Sequence, residues 1–242
     1  MENETIRLEH LTVGYKQKKG VYAVLSDINL SFHAGELVCL LGANGIGKST
    51  FLRTLSGLLP EISGRVYIEN KLVEDYTEKQ LSRHIGIVLT EHPRLHNMIV
   101  DDLVAMGRAP YTGFWGRLSS KDKAIVTRSM SLISINKLQG RMVDSLSDGE
   151  RQKVMIARAL AQQTPIVILD EPTAFLDFPS KVEVMRLLRR LAHDMNKTIL
   201  LSTHDLQLAA ELGDILLHVA PEGISRVSKE EVVEKINRLL NF

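Results

Sequence analysis

The sequence predicts an α/β fold, with a parallel sheet at its centre, a β-rich N-terminal part and an inserted helical segment. Three observations predict it. Residues 36–41 are continuously apolar after Glu36, then break into a glycine-rich turn followed by helix-forming residues. Two more apolar runs, at 166–169 and 198–202, flank a helical pattern at about 180–195, which is parallel-sheet spacing. Between about 91 and 163 the periodicity is helical, punctuated by Gly and Pro, with no convincing strand.

Taken in order, residues 5–13 and 22–32 alternate, as in Ile6 and Leu8 or Ile28, Leu30 and Phe32, which suits half-buried strands. After the 36–41 strand and its turn, a helix runs until Gly57 and Pro60 stop it. Residues 66–68 and 85–89 read as strands, separated by a short helix that Thr77 and Gln80 open as a capping box. The insertion offers helices at 100–106, 121–133 and 150–162. A last helix, 229–240, comes after Ser228, with Glu231 completing another box. The expected organisation is one domain: 1–90 and 164–242 form the α/β core, and 91–163 a helical subdomain. No internal repeat or low-complexity tract is present.

Composition narrows the function class. With 242 residues, 44% apolar and 24% charged, the chain is neither disordered nor collagen-like. Thirty Lys and Arg against 29 Asp and Glu give a net charge of +1, which speaks against nucleic acid as a partner. Cys39, the single cysteine, excludes an intramolecular disulfide and a multi-cysteine zinc site, and its apolar setting reads as a small buried residue. No apolar run approaches the ~20 residues needed to cross a bilayer. The polar start lacks the features of a secretory leader, so the expected location is cytoplasmic, with any membrane role exercised through partners.

Three motifs carry chemistry. GANGIGKST, comprising Gly42, Ala43, Asn44, Gly45, Ile46, Gly47, Lys48, Ser49 and Thr50, fits G-x-x-x-x-G-K-[ST] between a strand and a helix, as a P-loop must. Its glycines let backbone N–H groups curl around phosphates, Lys48 reaches the β- and γ-phosphates, and Ser49 can bind Mg2+. Residues 166–169 run into Asp170 and Glu171, two acids at the carboxyl end of a buried strand, where α/β sheets keep their ligands. With the P-loop present this is a Walker-B arrangement: Asp170 for the metal, Glu171 to polarise an attacking water. In LSDGERQ, Ser147 and Glu150 form a capping box, and a capped helix start beside Gly149 is also an anion site, so both readings hold together.

These motifs, in this order, resemble the nucleotide-binding subunit of an ATP-binding cassette (ABC) transporter over about residues 5–219. LSDGERQ is similar to the family's LSGGQRQ, which precedes the Walker-B strand. The resemblance implies that Tyr15, by sequence alone a strand-end core residue, stacks on adenine. It implies that Asp177 in EPTAFLD is the D-loop acid facing an opposite subunit, and that His204 is the switch histidine at the γ-phosphate. It further implies ATP and Mg2+, and a head-to-tail dimer in which the P-loop of one copy and Ser147, Asp148, Gly149 and Glu150 of the other enclose ATP. Membrane permease subunits and, indirectly, a substrate-binding protein are the implied partners, with the chain peripheral at the cytoplasmic face of the cell membrane.

The chain departs from the family pattern at three places. Thr90, with Glu91 after it, stands where a metal-binding Gln is usual, so Thr90 reaches Mg2+ only if the loop moves closer or water intervenes. Asp148 and Glu150 replace Gly and Gln and are expected to weaken nucleotide-driven dimerisation modestly. The segment 104–111, continuing through Phe114 and Trp115 to 118, resembles importer ATPases for ferric siderophores, haem and cobalamin; its aromatic residues serve either a protein contact or a small core. Two other classes stay open: a non-transport ABC ATPase, and a regulatory subunit that binds ATP with impaired hydrolysis.

Overall fold

The computed structural model describes residues 3–17, 20–90, 97–113 and 115–240. Glu91 and Phe114 lie outside them. Along the chain run β1 (Glu4–Gln17), β2 (Gly20–His33), β3 (Leu37–Leu41), α1 (Lys48–Leu55), β4 (Ser63–Ile68), β5 (Lys71–Leu72), α2 (Glu78–Leu81) and β6 (Ile85–Val88). The helical stretch holds α3 (Val100–Ala105), α4 (Ser120–Leu132) and α5 (Asp148–Ala161). The chain then returns to β7 (Ile166–Leu169), α6 (Phe178–Met195), β8 (Thr198–Ser202), α7 (Leu206–Leu212), β9 (Ile215–Ala220), β10 (Gly223–Val227) and α8 (Lys229–Leu240).

Alternation in β1 and β2 buries Ile6, Leu8, Leu11 and Val13 against Leu25, Ile28 and Phe32, and the two strands form an antiparallel sheet ordered β2-β1-β4-β5. The other sheet is ordered β10-β9-β3-β8-β7-β6, with β6, β7, β8, β3 and β9 parallel and β10 antiparallel at the edge. β3, β7 and β8 are buried along their whole length, which is why they read as continuous apolar runs. Cys39 is fully buried among them, and that burial pushes its thiol up to about 12.

Odd and even residues of these strands face different cores. Val38, Leu40, Ile166, Ile168 and Leu200 pack with Phe51, Leu52 and Leu55 of α1 and with the antiparallel sheet. Leu37, Cys39, Val167, Leu169, Ile199 and Leu201 pack toward α5, α6 and α7. The three capping boxes read from the sequence all form, at Thr77/Gln80, Ser147/Glu150 and Ser228/Glu231. The sequence reading extends the helix at 100 to Met106; instead the chain tightens into a 3-10 turn over Met106–Tyr111, where Pro110 offers no N–H.

That turn is pinned to its neighbours by Arg108, which is buried. Its guanidinium donates to the Ala161 carbonyl (2.8 Å) and to Asp122 Oδ1 (2.9 Å) and lies 4.1 Å from the Tyr111 ring centre. Gly107 lets the backbones meet: a Cβ there would fall 2.2 Å from the Arg158 carbonyl oxygen. We expect Gly107→Ala to cost about 1–3 kcal/mol and to lower the melting temperature by several degrees; an unchanged melting curve would contradict this packing. The Ser119 hydroxyl and then Arg108 hold Asp122 down at about 2, below its ordinary 3.8. A lowered folded-state pKa gives stability that is present above the ordinary value and lost as the pH falls toward about 2. Acid unfolding should therefore contain a component between about pH 4 and 2 that Asp122→Asn removes, measurable by circular dichroism.

Candidate active site

The parallel register sets the site. Leu40 pairs with Ser202, Leu169 with Leu201 and Val88 with Leu169, so β3, β8, β7 and β6 end side by side. The segments leaving these strands meet at that edge: the Gly42–Thr50 loop after β3, Thr90 after β6, Asp170 and Glu171 after β7, and His204 after β8.

The loop turns into α1 through Gly47, whose φ of 115° suits glycine and whose added Cβ would lie 2.5 Å from Val24 Cγ1. Gly45, also at positive φ, faces open space, and Ala43, Asn44 and Ser49 are exposed beside it. Lys48 is buried at the start of α1 and turns back on its loop, donating to the carbonyls of Gly42 (2.8 Å) and Ala43 (2.9 Å). Burial lowers its pKa, while Glu171 and Asp170 act in the opposite direction. Tyr15, half exposed near the end of β1, places its hydroxyl 3.1 Å from Thr50 Oγ1.

Asp170 is 2% exposed and held from both neighbouring strands, β6 with the residue pair that follows it and β8. Its N–H donates to the Val88 carbonyl (2.8 Å), its own carbonyl accepts from the Thr90 hydroxyl (3.0 Å), and Oδ1 accepts from the Ser202 hydroxyl (2.7 Å). Thr90 thus spends its proton on the backbone of Asp170. Glu171 takes a left-handed conformation (φ 50°) and turns its carboxylate toward His204, whose Nε2 lies 2.5 Å from Oε1. A depression of about 220 Å3 opens beside this pair, lined also by Thr173, Lys181 and Thr203.

The other predicted residues assemble elsewhere. Ser147 caps α5 by accepting from the Glu150 N–H (3.2 Å), and Glu150 answers by accepting from the Ser147 N–H (3.0 Å), a bond that also lowers its pKa. Gly149 approaches the Phe175 carbonyl so closely that a Cβ would sit 3.0 Å from it. The Asp148 side chain points into solvent, 3.9 Å from Arg151. Asp177 caps α6 through the Ser180 N–H, and its bonds to Ser180 lower its pKa. Ser147, Asp148, Gly149, Glu150 and Asp177 line one depression of about 410 Å3, which no P-loop residue touches. Trp115 is 82% exposed, with Met106 and Tyr111 partly so on the adjoining segment.

The donors at the sheet edge are oxygens of Ser49 and Asp170, the type that Mg2+ prefers, beside a loop of backbone N–H groups shaped for phosphate. The residue missed by sequence reading is Ser202. Its only sequence signal is a hydroxyl closing a strand with an apolar interior, TILLS.

Comparison with known proteins bears on the family and the fold. A family model described as ABC transporter matches residues 25–174. An uncharacterized ABC transporter ATP-binding protein of Methanocaldococcus jannaschii is 40% identical over 245 residues, covering 98% of this chain and 82% of that protein. The ferric enterobactin transport ATP-binding protein FepC of Escherichia coli is 33% identical, covering 96% of this chain and 86% of FepC. Among solved structures, a dimeric ATP-binding cassette bound to ADP and phosphate superposes with a TM-score of 0.83 at 26% identity, covering 93% of this chain and 98% of that one.

Proposed function

This chain belongs to the ABC transporter family of ATP-binding proteins, and from that premise we propose that it is the ATP-hydrolysing motor subunit of an importer for a ferric siderophore, haem or cobalamin. The observation that carries the reading is the division of predicted site residues between two separate surfaces. One has phosphate-binding and acid–base groups; the other has a capped helix start and Asp177. Neither surface carries both sets of groups, and two copies arranged head to tail would bring one of each around every ATP. The dimeric cassette with ADP and phosphate supports a pair of chains as the working unit, and the ferric enterobactin relative supports the siderophore class over the other two cargoes.

In this reading the α/β core comprises 1–90 and 164–242, and the helical subdomain 91–163. Tyr15 stacks on adenine, and Gly42 to Thr50 wrap the phosphates with backbone N–H groups. Lys48 leaves the carbonyls of Gly42 and Ala43 for the β- and γ-phosphates. Ser49 and Asp170 hold Mg2+, which when bound neutralises phosphate charge. Glu171 parts from His204 and accepts a proton as water oxygen attacks the γ-phosphorus; the bond from that phosphorus to the bridging oxygen breaks and ADP leaves. As Glu171 parts from it, His204 hydrogen-bonds the γ-phosphate, before that bond breaks. Ser147 to Glu150 and Asp177 of the partner subunit close the site. Among the described residues no helix is long and apolar enough to cross a membrane. The route to membrane work is through permease subunits at the cytoplasmic face, with the exposed Met106, Tyr111 and Trp115 as part of the contact and a substrate-binding protein upstream.

Glu171→Gln should lower ATP turnover by at least about a hundredfold while leaving ATP binding intact, and should abolish one of ferric-siderophore, haem or cobalamin uptake in the source cells. Turnover that survives the change removes the assigned role of Glu171. Persistence of all three uptakes removes the importer reading. Asp148→Gly should tighten ATP-driven dimerisation by about two- to fivefold, as expected for removal of one solvent-facing carboxylate; sedimentation and turnover identical to wild type would sink that expectation.

A further inference from the structure

Ser202 is completely buried at the tip of β8, one strand away from Asp170 and Glu171, and its hydroxyl joins the two. It donates to Asp170 Oδ1 at 2.7 Å and accepts from the Glu171 backbone N–H at 2.8 Å. A serine hydroxyl has one proton to give and lone pairs to receive, so a single oxygen satisfies both neighbours. Its burial leaves no room for solvent to replace either bond.

Both bonds act on conformation. The first fixes the rotation of the Asp170 carboxylate, whose backbone is already tied to Val88 and Thr90. The second fixes the turn at Glu171, which at φ 50° sits in a region that a side chain with a Cβ disfavours. Such a conformation persists only where its surroundings hold it. That turn carries the Glu171 carboxylate to His204.

We infer that Ser202 is a positioning residue for ATP hydrolysis, orienting the metal-holding Asp170 and the water-activating Glu171 through one buried hydroxyl. The inference rests on the ATPase reading above and extends it to a residue outside the P-loop, Walker-B, signature and histidine segments. Removing Oγ leaves a buried carboxylate oxygen and a part-buried N–H without these bonds, a loss that falls on the two groups closest to the chemistry. The P-loop backbone, which supplies most of the grip on phosphate, is not touched by Ser202 and should bind ATP as before.

The test uses the full chain as wild type, S202A and S202T, with E171Q as reference. Steady-state turnover is measured together with Mn2+ affinity by electron paramagnetic resonance in the presence of a non-hydrolysable ATP analogue. In S202A we expect kcat to fall about tenfold with KM for ATP changed less than about twofold. Mn2+ affinity should fall about tenfold, because a carboxylate ligand has lost its orienting donor. S202T keeps the hydroxyl and should recover most of both. Wild-type kcat and Mn2+ affinity in S202A would overturn the inference. So would a loss of kcat matched by equal losses of ATP binding and melting temperature, which a merely structural serine would give. A wild type without turnover that E171Q removes defeats the ATPase reading and this inference together, whereas turnover left intact by S202A defeats this inference alone.

Discussion

Everything at the site depends on the parallel register of β6, β7, β8 and β3. Pairing Leu40 with Ser202 and Leu169 with Leu201 puts the carboxyl ends of the strands in one line, so loops distant in sequence meet in space. A shift by one residue would exchange the two cores. Leu200 and Ile168 face α1 and the antiparallel sheet, whereas Leu201 and Leu169 face α5 to α7, and each set fits only its own side. The hydrophobic packing on the two faces therefore acts as the ruler that aligns the polar groups at the edge.

At that edge buried polar groups are satisfied by one another. Asp170, almost excluded from solvent, is braced by Val88 and Thr90 from β6 and its exit on one side and by Ser202 of β8 on the other. Burial makes these bonds matter, since a carboxylate without partners in such a place would be costly. Lys48 is buried too, and its ammonium donates to the carbonyls of its own loop. Lys48 and the Glu171–His204 pair are thus each held by partners within the site.

Much of this was legible in the sequence because the signals were local. The P-loop glycines, the apolar run ending in Asp170 and Glu171, and the three capping boxes each encode their structure within a few residues. β7 and β8 begin and end where the apolar runs do, since a strand buried on both faces has no other composition available. Sequence reading missed α7, β9 and β10. α7 has seven residues, and β9 mixes His218 into an apolar run, so neither offers a long period to detect. Ser202 was missed for a different reason: its role comes from register across strands, and nothing in TILLS says which carboxylate will lie beside it. The bond from Thr90 to the Asp170 carbonyl is likewise a product of the β6–β7 pairing.

One aligned sheet edge and a second, separate surface around Ser147 and Asp177 make up the proposed site, with ATP held between the two in a pair of chains. The most direct measurement is a crystal structure of the Glu171→Gln variant grown with ATP and Mg2+. The expected result is a head-to-tail dimer with each γ-phosphate between Lys48, Asp170 and His204 of one copy and Ser147 of the partner subunit. ATP bound to a single copy with the Ser147 surface turned away, or nucleotide away from the Gly42–Thr50 loop, would contradict it.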